Sequence, residues 1–196
     1  MSEEKEDFFM YTNKQGTTSA ADVRLCGNVR VLTISALLIA MSIVLGKLLA
    51  FNITDSIRIS LENLPLLMAG IFFGPFIGAA VGAGADIIGC LIVGYSINPI
   101  ISVGAASIGF IAGFVSHFIF KKSSLPSIAV SVAAAHIIGS MIIKSVGLYI
   151  YFHTPIQVLL LRIPTYIGIG ILEFYIVYLM QKNKAFSAQL DRIVKK

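Results

Sequence analysis

The stretch RISLENLPLLMAGIFFGPFIGAAVGAGADIIG, from Arg58 to Gly89, contains the clearest structural information in this chain. It places charged residues directly before an apolar segment that a Gly-Pro pair divides in two. Pro75 suits the first turn of a helix, so the pair predicts two apolar helices joined by a turn with almost no loop. Small residues four apart let helix backbones approach closely in a membrane, which favours a packing role over a ligand role for the regularly spaced glycines. These are Gly70, Gly74, Gly78 and Gly82.

The composition of the whole chain is typical of a membrane protein. Of the 196 residues, 57% are hydrophobic and 13% are charged, whereas a soluble domain has about 45–50% apolar and about 25% charged residues. The mean hydropathy is +0.88, and the apolar residues occur in runs of about 20, enough to cross roughly 30 Å of hydrocarbon as a helix. The net charge of +5 requires no nucleic-acid partner, because membrane proteins carry Lys and Arg on their cytoplasmic loops.

These runs predict one all-α domain over residues 29–181, a polytopic bundle of six transmembrane helices. The second run is short and bears a proline, and in transporters a short or interrupted span points to a binding site. A mobile N-terminal tail, residues 1–28, and a basic C-terminal tail, residues 182–196, are expected beside the bundle, and the acidic start MSEEKED is unlike a secretory signal. The predicted spans are Val29–Ala50, Leu61–Phe73, Pro75–Gly94, Pro99–Phe120, Leu125–Ile150 and Ile156–Met180.

An even number of spans places both termini on one side of the membrane. The side with the termini carries eleven Lys and Arg residues, counting Arg30 at the start of the first span, whereas the opposite side carries only Lys47, Arg58, Lys144 and Arg162. By the positive-inside rule, both termini of this multi-pass protein are expected on the cytoplasmic side of the cell membrane. The segment around Arg58 is then expected outside, at the mouth of the second helix.

Three ionisable residues lie deep within predicted spans, where a charge costs roughly 2.5–3.5 kcal/mol and is usually paired or functional. His136 and Glu173 are expected at comparable heights, so an interhelical pair is favoured over a ligand role for them. For Asp86 the structural and ligand roles are evenly balanced, because neighbouring glycines are expected to leave space around it. Those glycines are Gly82, Gly84 and Gly89.

No motif for catalysis or for metal binding is present. The three histidines are scattered, and neither an HExxH motif nor a P-loop occurs, so this chain is not expected to hydrolyse ATP by itself. Cys26 and Cys90 lack the spacings of a disulfide framework or a zinc site. The sequence therefore predicts a protein that is not an enzyme and has no cofactor or metal.

Polar and aromatic side chains collect at the predicted outer end of the bundle. Three cations, Arg58, Lys144 and Arg162, are expected at the ends of three helices, with Tyr95 and Asn98 in the loop between the third and fourth spans. This mixture suits a ligand with flat rings and anionic groups. A membrane interface with long cations and a tyrosine belt explains it equally well, and the two interpretations stay open at this point. The belt would include Tyr149 and Tyr151.

The run from Arg58 to Gly89, the tripeptide NPI at Asn98 and the six-span size resemble the substrate-binding S-components of energy-coupling factor (ECF) vitamin transporters. The similarity is closest to the folate type, in which an Arg-containing loop precedes a Pro-bearing second helix and a Gly-Pro hairpin. The segment ALLIA in the first span matches the AxxxA motif of the family at Ala36 and Ala40. The resemblance extends from Val29 to Met180.

This resemblance implies a protein that captures folate outside and supplies it to an ECF transporter. S-components dock onto a membrane scaffold subunit joined to two ATPase subunits, and they topple within the bilayer to release the ligand inside. Ala36 and Ala40 would form the flat face that meets the scaffold, with packing inside the bundle as the alternative.

Folate carries a pterin, an aromatic ring and a glutamate with two carboxylates. The resemblance therefore assigns Arg58, Lys144 and Arg162 to the carboxylates, and the tyrosines to stacking on the rings. Lys144 is expected to contribute least, because a lysine near a helix end extends its ammonium group to water.

Two further roles complete the predicted site. Asp86 or Asn98 would hydrogen-bond the aminopyrimidine edge, and Glu62, four residues after Arg58, would hold that arginine in place. An S-component for thiamine, riboflavin or biotin remains an alternative, as does a carrier that needs no other subunit. A cationic ligand such as thiamine favours acidic rather than basic pocket walls.

Overall fold

The computed structural model describes residues 29–54, 57–120 and 125–183, with side chains given for all of these except residue 48 and residues 51–58. Each of the six predicted apolar segments forms a helix. The first, α1, runs Val29–Ile43 and continues as the π-helical turn Val44–Leu48. Then come α2 (Asn63–Phe73), α3 (Pro75–Val93), α4 (Pro99–Phe114, continued by the π-helical Val115–Ile119), α5 (Leu125–Phe152, π-helical over His136–Ile143) and α6 (Ile156–Lys182).

Five of these helices, all except α2, are long and apolar enough to cross a membrane. The predicted class, a helical membrane bundle, is therefore confirmed. With 11 residues, α2 is about 16 Å long at 1.5 Å per residue, which is shorter than the roughly 30 Å of hydrocarbon. The predicted tails lie outside the described residues, except that α6 includes Lys182 and is followed by Asn183.

A short antiparallel hairpin between α1 and α2 adds to the predicted helices. Its strands are β1 (Phe51–Thr54) and β2 (Ile57–Ile59), and Asn52 lies opposite Arg58. The two strands contain four β-branched residues and one aromatic residue, which suit a strand. This hairpin was not predicted, because so short a run next to an apolar span has no distinct periodicity.

The predicted turn between α2 and α3 is confirmed. Only Gly74 separates the two helices, and its φ of 99° lies in a region that L side chains rarely adopt. A Cβ atom at Gly70 or Gly78 would collide with the backbone of α4 at Gly109. The packing role predicted for these glycines is thus the observed one, since α2, α3 and α4 meet backbone to backbone.

The helices differ strongly in burial. Every residue of α2 is buried, so this short helix forms the centre of the bundle. By contrast, α6 buries only Ile169, Glu173 and Val177, and it contains Pro164 in its interior.

Glu62, directly before α2, contacts Ser42 and Lys144, which lie six residues before the end of α1 with its π-helical turn and eight residues before the end of α5. The neighbouring helices therefore extend past the start of α2, and the bundle contains open space there.

Candidate functional site

A cavity of about 400 Å³ occupies this space, at the end of the bundle where α1, α3 and α5 end and α2, α4 and α6 begin. We call this end the cavity end. The volume lies in the range of pockets that hold small molecules. Six of the seven predicted ligand residues line it: Glu62, Asp86, Tyr95, Asn98, Lys144 and Arg162. The seventh, Arg58, lies in β2, and its side chain is outside the described part of the structure.

The lower part of the cavity contains an ion pair between α5 and the start of α2. Lys144 Nζ donates to Glu62 Oε1 at 3.0 Å and to Asn63 Oδ1 at 3.4 Å. Ser42 Oγ of α1 donates to the Glu62 carbonyl oxygen at 2.7 Å, which ties the same segment to a third helix. Glu62 was predicted to hold Arg58, but its described ion-pair partner is Lys144.

The prediction that Lys144 extends to water near a helix end is wrong. Lys144 is only 7% exposed and lies eight residues before the end of α5. Gly104 of α4 makes this possible, because a Cβ atom there would collide with Cγ of Lys144. The ammonium group stays buried since Glu62 and Asn63 replace its hydration.

Asp86 is half-buried in the wall formed by α3. Ser102 Oγ of α4 donates to Asp86 Oδ2 at 2.6 Å, and among the described residues no cation forms an ion pair with this carboxylate. The expectation that glycines leave open space around it is wrong. Gly82 packs on the backbone of α4, while Gly84 and Gly89 pack against side chains of α1, so these glycines bring the helices closer together.

Arg162 of α6 is fixed by uncharged groups. Its Nη2 donates to the phenol oxygen of Tyr166 at 2.8 Å, and its Nη1 donates to Ser145 Oγ at 3.4 Å. Within the described part of the chain, no carboxylate forms an ion pair with the guanidinium. The positive charge of Arg162 at the cavity wall is therefore not offset by a described carboxylate.

Lys47, which was not among the predicted ligand residues, also lines the cavity. The side chain of Lys47 packs against Gly89 of α3, and its Nζ lies 5.5 Å from the ring centroid of Tyr95. Like Arg162, it forms no ion pair with a described carboxylate. The available signal was its place among the four basic residues on the predicted outer side, in the last turn of an apolar helix.

The predicted amide and aromatic groups have divided roles. Asn98 Oδ1 accepts from the backbone N–H groups of Ile100 and Ile101 at 3.0 and 3.4 Å, so this oxygen caps α4.

Tyr149 and Tyr151 are both 53% exposed and do not line the cavity. Its described aromatic lining consists of Tyr95, Phe152 and Tyr166. The signal for Tyr166 was its spacing of four residues from Arg162, which places both on one face of a helix.

The predicted His136–Glu173 pair is confirmed. His136 Nε2 lies 2.6 Å from Glu173 Oε2, and the two residues are 3% and 0% exposed. Neither residue lines the main cavity. The pair joins α5 to α6, as the structural interpretation requires.

Ala36 and Ala40 both lie on the exposed face of α1. Leu32 and Leu37, which are 65% and 67% exposed, flank them on the same face. The alternative that these alanines pack inside the bundle is therefore wrong. Their role in contacting another subunit stays a prediction.

Comparison with known proteins gives consistent matches. Residues 30–181 match the family described as "ECF transporter, substrate-specific component". The folate transporter FolT of Clostridium novyi (strain NT) is 27% identical over 138 residues, which are 67% of this chain and 75% of that protein. A crystal structure of FolT bound with folic acid has a TM-score of 0.65 at 21% identity, covering 78% of this chain and 93% of the other. An S component of a bacterial ECF transporter has a TM-score of 0.61 at 20% identity, covering 78% and 94%.

Proposed function

The chain belongs to the substrate-specific components of ECF transporters, and we propose that it binds folate in the cavity between its helices and delivers it for uptake. The ligand class is taken from the folate transporter to which the chain is similar. The observation that carries the assignment is the charge of the cavity. Lys47 and Arg162 lack a carboxylate partner among the described residues, and both face the cavity that contains Asp86.

This charge distribution matches folate chemically. After the Lys144–Glu62 pair is set aside, the described lining offers two cations and one carboxylate. Folate presents two carboxylates at its glutamate end and N–H donors at its aminopyrimidine end. Cations bind the former and a carboxylate accepts from the latter, both through charge-assisted hydrogen bonds.

The heights of these groups favour one orientation of the ligand. Lys47 lies in the last turn of α1, whereas Asp86 lies seven residues before the end of α3, about 10 Å along the helix. The pterin then lies deep against Asp86, and the glutamate extends toward the mouth, where one carboxylate meets Lys47. The other carboxylate meets Arg162, which lies six residues after the start of α6 and so deeper than Lys47. Tyr95 and Phe152 are the aromatic faces available to the rings.

Delivery to the cell interior requires partners. In this proposal the exposed Ala36–Ala40 face of α1 meets the scaffold subunit, which is joined to two ATPase subunits. Two alanines one turn apart form a smooth strip that lets a second helix approach closely in lipid. The protein lies in the cell membrane with both termini in the cytoplasm, so that the cavity end faces outward.

Calorimetry on the full chain in detergent tests the ligand. Folic acid is expected to bind tightly, and thiamine is expected not to bind, because Lys47 and Arg162, which have no carboxylate partner among the described residues, repel its positive charge. Riboflavin and biotin serve as further comparison ligands. Tight binding of any of these three in place of folic acid would reject folate. Flux of folic acid into liposomes containing this chain alone would instead indicate a self-sufficient carrier.

Replacement of Arg162 or Lys47 by alanine should weaken folic acid binding. Loss of a charge-assisted hydrogen bond costs about 1.5–3 kcal/mol, which corresponds to about 10- to 150-fold in affinity. This range is expected for Arg162→Ala and for Lys47→Ala, with unchanged thermal stability. Lys182→Ala is the matched control, since that lysine lies at the opposite end of α6, 6.0 Å from the Tyr178 ring centroid. Unchanged affinity in both cavity variants would remove these cations from the site.

A further inference from the structure

Tyr166 occupies a special position beside the ligand cavity. It lies one helical turn after Arg162 and accepts a hydrogen bond from the guanidinium at 2.8 Å. Cζ of Arg162 also lies 5.2 Å from the centroid of the Tyr166 ring. The phenol thus contacts the arginine both through its oxygen and through its ring.

The ring of Tyr166 also lies beside the buried His136–Glu173 pair. The centroid of the His136 ring lies 5.8 Å away at an interplanar angle of 40°. His136 is itself fixed by Glu173 at 2.6 Å and approached by Ser140 Oγ at 3.4 Å. Tyr166 therefore connects a rigid, buried anchor to a cation at the cavity wall.

The choice of a phenol has a chemical consequence. A carboxylate in this position would orient the guanidinium but neutralise its charge, whereas a phenol orients it and leaves the charge intact. An arginine side chain has many rotamers, and ordering it on binding costs affinity unless it is held in advance. Ser145 Oγ, at 3.4 Å, is the other described hydrogen-bond partner of Arg162 and the more distant one.

We propose that Tyr166 is a positioning residue that holds Arg162 ready for a ligand carboxylate and thereby sets the preference for an anionic ligand. The inference rests on the proposed binding of folate. It predicts that Tyr166 acts only through Arg162 and only on ligands that carry the negative charge. A merely structural role for Tyr166 would affect all ligands equally.

The test is calorimetry with Tyr166→Phe, which removes the hydroxyl and keeps the ring. Folic acid binding is expected to weaken by about 2- to 10-fold, the cost of ordering one arginine side chain on binding. Binding of the folic acid diester, in which both glutamate carboxylates are methylated, is expected to change by less than about twofold. In the Arg162→Ala background, Tyr166→Phe is expected to have no further effect, since interacting residues are not additive.

Tyr175→Phe is the matched control, because Tyr175 lies on the same helix and is 55% exposed. It should leave both affinities unchanged. The fitted stoichiometry counts the folded fraction, so each affinity refers to folded protein even if a variant is less stable.

Three results would overturn the inference: equal losses for folic acid and the diester, additive effects with Arg162→Ala, or no loss at all. Failure of the unaltered chain to bind folic acid would instead reject the proposed function, and the inference with it. The two failures are therefore distinguished by which protein fails to bind.

Discussion

His136 and Glu173 show how ionisable side chains are accommodated inside this bundle, because each is the hydrogen-bond partner of the other. Their side chains are almost fully buried and meet at 2.6 Å across the α5–α6 interface. A second pair, Lys144 with Glu62, joins α5 to α2 in the same way. A buried ion pair adds little stability compared with a well-packed apolar pair, but removing only one of its two partners leaves the other charge buried and uncompensated.

Breaking the first pair on one side should therefore be costly. Glu173→Ala is expected to lower the free energy of unfolding by about 3–5 kcal/mol, because it leaves His136 buried without its partner. The double variant His136→Leu with Glu173→Leu should lose much less, since no ionisable group of the pair is then left without its partner. Denaturant unfolding in detergent measures both. Ile171→Ala, at a site 64% exposed on α6, is the control, and a double variant as unstable as Glu173→Ala would contradict this account.

Lys144 and Arg162 show that cations around one cavity have different tasks. Lys144 is neutralised by Glu62 and stabilises the start of α2. Arg162 contacts only uncharged partners among the described residues. The difference follows from the partner rather than from the residue type, and it is the reason for proposing Arg162 and Lys47 as the cations that bind the ligand.

At the scale of elements, the short helix α2 creates the space for a ligand. Its 11 residues are all buried, and its first residues lie beside Glu62 and Lys144 in the lower part of the cavity. A helix of full length would fill this volume with its own side chains. The glycine contacts among α2, α3 and α4 hold the short helix in place where lipid supplies no hydrophobic drive.

These contacts predict different results for two glycines. At Gly109 a Cβ atom would collide with the backbone of α3 at Gly78, whereas at Gly168 nothing lies within 4 Å. Gly109→Ala is expected to lower the stability of the bundle by about 1–3 kcal/mol, the usual cost of overpacking. Gly168→Ala should be neutral or stabilise by about 0.5–1 kcal/mol, because alanine favours a helix. Thermal unfolding in detergent compares the two, and equal stability would show that α4 moves to accommodate the methyl group.

At the scale of the whole molecule, the proposed contact between the exposed face of α1 and the scaffold subunit predicts that uptake can be lost without loss of binding. Ala36→Trp or Ala40→Trp should abolish folate uptake by the complete transporter and leave folic acid binding to the isolated chain unchanged, because an indole separates two helices that must approach closely. Ile171→Trp, on the exposed side of α6, should preserve both. Loss of binding together with uptake would mean that the two alanines support the bundle itself.

The orientation of the molecule is also open to a direct test. In a chain whose Cys26 and Cys90 are replaced by Ser, a cysteine at Thr154 between α5 and α6 should react with a membrane-impermeant reagent added outside intact cells. A cysteine at Lys121 should react only after the membrane is permeabilised, because basic residues stay in the cytoplasm. The reverse labelling pattern would place the cavity on the cytoplasmic face and exclude capture from outside.

The sequence alone determined the helical membrane bundle, the turn at Gly74 and the His136–Glu173 pair. These follow from local properties, namely the length of apolar runs, the backbone demands of Gly and Pro, and the rarity of charges in lipid. The hairpin around Arg58 was missed, since its few residues carry too weak a pattern next to a long apolar span.

Only the tertiary structure decided which cation is neutralised and which is left for a ligand. Lys144 and Glu62 are 82 residues apart in sequence, and their pairing depends on how α2 and α5 are rotated and how deeply each begins. The same holds for Lys47, which reaches the cavity because Gly89 lets it pass, and for Asn98, whose oxygen caps α4. The residue types show which charges in a membrane protein need a partner, but the distances between helices determine which partner each charge meets.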